Sequence, residues 1–301
     1  MSAATRLEVT VRLRVPVGGV VERRARLVEG PAGWGECSPL PSWTEAEMAN
    51  AEQAAEEAAA RGFPPALRRR VTVNAMVPRV EPAVAARLAV ASGCATIKVK
   101  VGDAGGWARV AAVRAAVGRN VRIRLDANSA WDVDTALAEL RALAVHGIEL
   151  VEDPVATLAE LAALRRRSPV AVAAEMSVRT VAAARRLREL DAADALVLKV
   201  QPCGGVRAAL ELAELAGVPA IPTSMHETSV GVAAGVALAA ALPDLAFACG
   251  LATVSVLPID VTTVPLVPIG GVLRRRAVAP DPVLLARYSV RPSVVAQEAR
   301  S

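Results

Sequence analysis

Apolar and polar positions change rhythm twice along the 301 residues. Over 7–17 and 20–29 apolar residues alternate with charged ones around Gly18-Gly19, the signature of a β-hairpin. A Gly- and Pro-rich stretch with two tryptophans, 30–43, reads as a loop. Thr44-Glu-Ala-Glu47 then opens an Ala/Glu-rich run that lasts to Arg61 and stops at Gly62, the pattern of a helix with a capping box. From Val71 onward a second rhythm repeats. Short Val/Ile/Leu/Ala-rich runs at 71–76, 96–101, 121–125, 148–151, 170–174, 195–200, 218–222 and 245–250 predict strands. Between most of them lie helix-forming segments at 81–91, 107–117, 132–145, 158–167, 178–190, 206–216 and 230–241. Strands that are apolar on both faces and alternate with helices predict a closed parallel barrel. The chain thus divides into a first unit at 1–70 and a barrel at 71–263, and the Pro- and Arg-rich segment 264–301 is expected to return to the first unit.

Composition narrows the function classes. A chain that is 53% hydrophobic and 22% charged can bury a large core, which excludes disorder. The apolar stretch near 230–242 is shorter than the ~20 residues that span a bilayer, and the first residues lack the apolar run of a signal peptide, so a cytoplasmic location is expected. Cys37, Cys94, Cys203 and Cys249 are far apart, and His146 and His226 are the only histidines, which argues against zinc and against a disulfide scaffold. The net charge of +5 and the arginine runs at 68–70, 165–167 and 274–276 raise the question of nucleic acid. With only 2% aromatic residues to stack on bases, solvated faces are the better reading of those runs.

Of the 35 basic residues only three are lysines: Lys98, Lys100 and Lys199. Arginine stays protonated, whereas a lysine can lose its proton when its surroundings lower its pKa, so lysine alone of the two can serve as a general base. In the extended segment Thr96-Ile-Lys-Val-Lys-Val-Gly102, Lys98 and Lys100 share one face, where each is expected to lower the other's pKa. Lysines also guard exposed sheet edges, but a closed barrel has no such edge. The ends of successive strands carry Lys100, Asp126, Glu152, Glu175, Lys199 and Ser224, spaced 23 to 26 residues apart. A single carboxylate there is commonly a helix cap. Three on consecutive strands would repel one another unless a cation lay among them, and oxygen-only donors suit Mg²⁺ or Mn²⁺. A divalent metal between opposed lysines is suited to removing a proton from carbon next to a carboxylate.

The motifs Gly33-Trp-Gly-Glu-Cys-Ser-Pro39, Lys98-x-Lys100, Asp126-Ala-Asn128, Val151-Glu-Asp-Pro154, Leu198-Lys-Val-Gln-Pro-Cys-Gly-Gly205, Glu227-Thr-Ser-Val-Gly231 and Ala248-Cys-Gly-Leu251 occur in order at barrel spacing. In these the chain resembles the enolase superfamily, in its muconate-lactonizing-like branch, and within that branch the actinobacterial o-succinylbenzoate synthase family. The resemblance implies an α/β fold, a modified TIM-type (β/α)7β barrel under an α+β N-terminal capping domain. It implies Mg²⁺ on Asp126, Glu152 and Glu175, and Lys100 as the base that takes an α-proton and then, as an ammonium, helps a hydroxyl leave from the same side. Lys98 would lower the pKa of Lys100 near the carboxylate of a small-molecule substrate, and Lys199 would stabilise the enediolate from the opposite face. Asn128, Ser224, Ser229, Trp34 and Ser38 would bind substrate, the loop from Gly33 to Trp43 closing over it and the helix start after Ser229 receiving a carboxylate. The reaction implied is dehydration in menaquinone biosynthesis. Racemisation of N-acylamino acids or epimerisation of dipeptides would use the same frame, and a barrel kept only for binding is a third reading. Four positions depart from the family pattern: Glu175 where Asp is usual, Met176 in place of an acidic residue, Cys37 where an aromatic residue is usual, and His226. The oligomeric state is not legible.

Overall fold

In a computed structural model the described residues are 6–17 and 20–288. The Gly18-Gly19 turn, the first five residues and the last part of the returning segment, 289–301, lie outside them. The chain opens with an antiparallel pair, β1 (Arg6–Val17) and β2 (Val20–Gly30), with Arg6 opposite Val28 and Arg12 opposite Glu22. Val9, Val11, Ala25 and Leu27 are buried, as the alternation requires. The stretch read as a loop instead begins with a strand, β3 (Gly33–Cys37), which adds to β2. Its five residues are too few, and too rich in glycine, to show a period, yet the glycine is what admits it to the sheet. A Cβ on Gly35 would lie 2.0 Å from the Ala55 carbonyl oxygen of the helix that covers the sheet. That helix, α1 (Glu45–Arg61), starts with the expected capping box between Thr44 and Glu47 and ends at Gly62. Its inner face is alanine at 51, 54, 55, 58 and 59, which allows the close approach. Cys37 packs with Ala51, Ala55 and Ala59 in this layer, so it faces the cap helix and not a substrate.

The run at 71–76 is two strands rather than one, β4 (Arg70–Thr72) and β5 (Ala75–Val77). Between them the backbone changes partners: the Val73 N–H donates to Gly271 and the Asn74 N–H to Cys249. The remaining strands are β6 (Thr96–Lys100), β7 (Arg122–Asp126), β8 (Ile148–Glu152), β9 (Ala171–Ala174), β10 (Ala195–Lys199) and β11 (Ala220–Thr223). With β5 they form one parallel sheet in sequence order. The intervening helices are α2 (Pro82–Ala91), α3 (Gly106–Val117), α4 (Val133–Leu143), α5 (Leu158–Arg165), α6 (Val181–Leu190), α7 (Val206–Ala216) and α8 (Ser229–Ala241). The eighth strand expected at 245–250 is reduced to isolated parallel bridges, Thr223 with Gly250 and Cys249 with Val73, which link β11 back to the residues before β5. A Cβ on Gly250 would meet the Thr223 Oγ1 at 2.2 Å, so the pairing with β11 at this position requires glycine.

Ile97, Val99, Ile123, Leu125, Val172 and Leu198 point outward into the layer beneath the helices. Inside the ring lie Leu150, Ala173, Ala195, Val197 and Ile221, with Phe247 against them. The small alanines leave room for a guanidinium. Arg124 is fully buried, donates to Glu149 at 2.5 Å and to the Ala248 carbonyl at 2.7 Å, and lies over the Phe247 ring. A buried charge of this kind is tolerated because it is paired and hydrogen-bonded. The apolar run near 230–242 is α8, buried on nearly every side and too short for a membrane. Among the described residues no helix is long and apolar enough to cross one.

After β11 the chain forms β12 (Val272–Arg274), antiparallel to β4, and α9 (Pro282–Tyr288). Leu285 and Tyr288 of α9 pack on the cluster of Val9, Val11 and Leu27. Helix α1 is also tied to the barrel rim. The Asn50 amide donates to the Pro202 carbonyl at 2.8 Å, and Arg207 pairs with Glu57 at 3.0 Å. Replacing Gly35 by alanine is expected to push α1 off the sheet and to cost about 1–3 kcal/mol of unfolding free energy in urea titration, the range for overpacking.

Candidate active site

Adjacent parallel strands in register bring distant charges side by side. Lys100 is opposite Asp126, and Asp126 is opposite Glu152. Each is the last residue of its strand, as is Lys199 of β10. Glu175 is the first residue after β9, one residue beyond the end of that strand. The inward face of β6 carries Lys98 and Lys100, while Ile97 and Val99 face the helices, as the alternation predicts.

The charges interlock. The Lys98 ammonium donates to Glu152 at 2.8 Å and lies 3.1 Å from Asp126. Lys100 donates to Asp126 at 2.7 Å and to the Asn128 side-chain oxygen at 2.9 Å. Lys199 donates to Glu175 at 2.5 Å, and Arg179 holds the same carboxylate at 2.9 Å. Burial alone would push Lys98 toward neutrality, but Glu152 and Asp126 outweigh it, and its pKa is raised. The expected mutual lowering by the two lysines is therefore overturned for Lys98, because carboxylates lie between the ammonium groups and bind them more strongly than the ammoniums repel. Burial likewise raises Asp126, but Lys100 and then Lys98 bring its pKa below the usual carboxylate range. Glu175 is brought to about 2 against burial by Lys199 and Arg179.

Asp153, next to Glu152, is a residue the sequence reading missed. It is buried, has a positive φ of 40°, and accepts from the backbone N–H groups of Glu175 at 2.7 Å and Met176 at 2.8 Å. It fixes the turn that presents Glu175. Burial, and after it the Glu175 charge, raises its pKa to about 7. Met176 itself has an exposed side chain. Asn128, Ser129 and His226 also have positive φ at this rim, the kind of backbone strain that clusters where a side chain must be aimed. Arg179 could have been suspected from its position four residues after Glu175, but it is one arginine among many.

Of the expected substrate contacts, Asn128 stands beside Lys100, and Ser224 is at the end of β11 with its hydroxyl shared between the Gly250 carbonyl and Thr253, both at 2.8 Å. Three others are engaged within the protein. Ser229 is fully buried, donating its hydroxyl to Asp260 and accepting from the Leu266 N–H. Ser38 is buried between Glu36, to which it donates at 2.9 Å, and Gln201, from which it accepts at 3.0 Å. Trp34 lies on β3 and packs against the cluster of Val9, Val11 and Val230, so Gly33 to Cys37 is sheet and not a closing loop. The start of α8 is also not free for a substrate carboxylate. Glu36 takes the N–H groups of Thr228 at 3.2 Å and Gly231 at 2.8 Å, and Asp260 takes that of Ser229 at 3.1 Å. A protein carboxylate from the first sheet thus fills the anion site of this helix.

Among the described residues no three Asp, Glu, His or Cys side chains converge tightly enough to hold an ion as they stand, each carboxylate being turned to a cation. Their chemistry still fits a hard divalent cation. Asp126, Glu152 and Glu175 offer oxygen only, are buried, and lie close enough that the charge on Asp126 opposes ionisation of both others, although Lys199 and Arg179 prevail at Glu175.

Comparison with known proteins agrees with this architecture. Residues 81–280 match the family described as enolase C-terminal domain-like, and residues 8–59 the one described as enolase N-terminal domain-like. The chain is 49% identical to o-succinylbenzoate synthase of Thermobifida fusca over 94% of its length and 91% of that protein's. It is 42% identical to o-succinylbenzoate synthase of Mycolicibacterium smegmatis over 92% of its length and 88% of that protein's. In fold it is similar to muconate lactonizing enzyme from Pseudomonas fluorescens, with a TM-score of 0.85 at 21% identity over 96% of this chain and 99% of that one. It is similar too to L-Ala-D/L-Glu epimerase from Bacillus subtilis, with a TM-score of 0.82 at 24% identity over 92% and 97%. With both family matches and near full-length identity of this order, the chain belongs to the enolase superfamily.

Proposed function

We propose that the chain is an o-succinylbenzoate synthase, which removes water from 2-succinyl-6-hydroxy-2,4-cyclohexadiene-1-carboxylate to give 2-succinylbenzoate, a cytoplasmic step of menaquinone biosynthesis. The observation that carries this reading is the 49% identity to such an enzyme over 94% of the chain. Supporting it is the lysine-and-carboxylate frame, with Lys100 on β6 and Lys199 four strands farther round the ring on β10. Within the arginine runs, Arg68 holds the Ala239 and Leu242 carbonyls and Arg165 pairs with Asp194.

Lys100 has the most open side chain of the three lysines, 18% exposed against 8% for Lys98 and 14% for Lys199. It takes the proton from the carbon that bears the ring carboxylate. The resulting ammonium gives that proton to the departing hydroxyl on the same face, so water leaves and the ring becomes aromatic. Lys98, kept cationic by Glu152 and Asp126, lies near the substrate carboxylate. Lys199 stabilises the enediolate from the other face as a second fixed cation. Asp126, Glu152 and Glu175 would hold Mg²⁺, or Mn²⁺, which when bound supplies positive charge to polarise the substrate carboxylate. Members of the superfamily generally use a divalent metal. Lysines on two faces also suit racemisation of an N-acylamino acid. Deuterium wash-in to such a substrate, with no consumption of the cyclohexadiene, would favour that reading and overturn the dehydratase.

Lys100→Arg keeps the charge and removes the base, and turnover of the cyclohexadiene is expected to fall by at least about 10²–10⁴-fold in a spectrophotometric assay. EDTA is expected to abolish turnover and added Mg²⁺ to restore it. Asp153→Ala frees the turn at Glu175 and is expected to lower kcat/KM or Mg²⁺ affinity about 10–100-fold, as read from Mg²⁺ titration of the rate.

A further inference from the structure

Lys100 is the last residue of β6, and the two sides of that strand end are held differently. On one side the ladder runs on: the Val101 N–H donates to the Asp126 carbonyl at 2.9 Å, and the Ala127 N–H to that of Glu152 at 3.2 Å. On the other side β5 stops at Val77, opposite Val99, and the next residue, Pro78, has no N–H with which to extend the pairing. The carbonyls of Lys100 and Val101 are taken instead by two arginine side chains. Arg109 of α3 is 3% exposed, and its guanidinium donates to the Lys100 carbonyl at 2.7 Å. The same group donates to the Val80 carbonyl at 2.9 Å and to the two Asp103 oxygens at 2.9 and 2.8 Å. Arg79 donates to the Val101 carbonyl from two nitrogens, at 3.2 and 2.8 Å, and lies 3.9 Å from Asp103. Packing leaves this segment open on its outer side. A cavity of about 210 Å³ between α3 and α4 is lined by Val101, Gly102, Asp103, Ala104, Trp107 and Trp131, so empty space adjoins the residues that follow Lys100.

Resting on the functional reading above, we propose that Arg109, with Arg79 beside it, is a positioning residue for proton transfer, holding the main chain of Lys100 so that its side chain meets the substrate at a fixed reach. Lysine carries its charge on a flexible four-carbon stem, and such a base is aimed only as well as the backbone from which it springs. Misplacing a reacting group by about 1 Å costs on the order of 10²-fold in rate. Lys98 needs no such clamp. It lies within the ladder, opposite Met76 on one side and Arg124 on the other, and its ammonium is fastened by Glu152 and Asp126. Lys100 has the ladder on one side only, and the arginines supply the other. Their bonds go to main-chain carbonyls and to Asp103, so they act on the reaction through Lys100.

Arg109→Lys keeps the charge and loses the fork, and Arg79→Gln removes the paired donors at a half-exposed side chain, where the fold tolerates the change. The kcat for the cyclohexadiene is expected to fall about 10²-fold in Arg109→Lys and about tenfold in Arg79→Gln. The Kd of 2-succinylbenzoate, measured by calorimetry with Mg²⁺ present, should stay within about threefold of wild type, since binding does not depend on the aim of the base. The binding stoichiometry should also match wild type, which separates a misdirected lysine from a misfolded fraction. With substrate deuterated at the carbon that bears the ring carboxylate, the isotope effect on kcat should be no smaller than in wild type, because proton transfer is the step that has slowed. Unchanged kcat in Arg79→Gln, a loss of product binding or stoichiometry that matches the loss of rate, or a smaller isotope effect would each overturn the assignment. If Arg109→Lys does not fold, Arg79→Gln decides alone. Absence of turnover in the wild-type enzyme is a different result: it overturns the functional reading and this inference with it.

Discussion

Burying one carboxylate or one ammonium costs on the order of several kcal/mol, and the rim of this barrel buries both kinds together. Asp126, Glu152 and Glu175 are nearly inaccessible, and each has a cation within 3.1 Å. The arrangement stands only as a whole. Lys98 bridges two carboxylates, Arg179 and Lys199 share the third, and Asp153 holds the backbone on which that third one is presented. This constraint explains why the strands must be parallel and in register: Lys100, Asp126 and Glu152 meet because three strands end at the same level. It also gives the lysines separate tasks. Lys98 is fastened as a cation by two carboxylates, whereas Lys100 is the more open of the two and shares its ammonium with the neutral Asn128 side chain.

The first sheet is joined to the same rim by a second buried carboxylate. Glu36 of β3 takes two N–H groups at the start of α8 as well as the hydroxyls of Thr228 and Ser38, while Ser38 is held in turn by Gln201 at the exit of β10. Burial raises the Glu36 pKa to about 7 in spite of these donors. The cap is thereby fixed over the C-terminal ends of the strands.

The sequence by itself determined a good deal, because the forces involved are local or periodic. The two-residue alternation put Lys98 and Lys100 on one face, the capping box at Thr44 started α1, and strand ends about one βα unit apart aligned Lys100, Asp126, Glu152 and Lys199. The motifs added the superfamily, which comparison with known proteins bears out. What only the tertiary structure decided depends on pairings across long separations. Ser38 and Ser229 look in sequence like free hydroxyls near a site, but one is consumed by Gln201, 163 residues away, and the other by Asp260. The helix start that looked open is filled by Glu36, 192 residues before it. β3 was missed because five residues rich in glycine carry no period, and the expected eighth strand is shortened to the bridges at Cys249 and Gly250, which pair with residues far off in the chain on both sides. Asp153 owes its importance to a backbone conformation and to burial, and neither quantity is written in the order of the residues; they are fixed only when the cap, the strand ends and the charges close on one another.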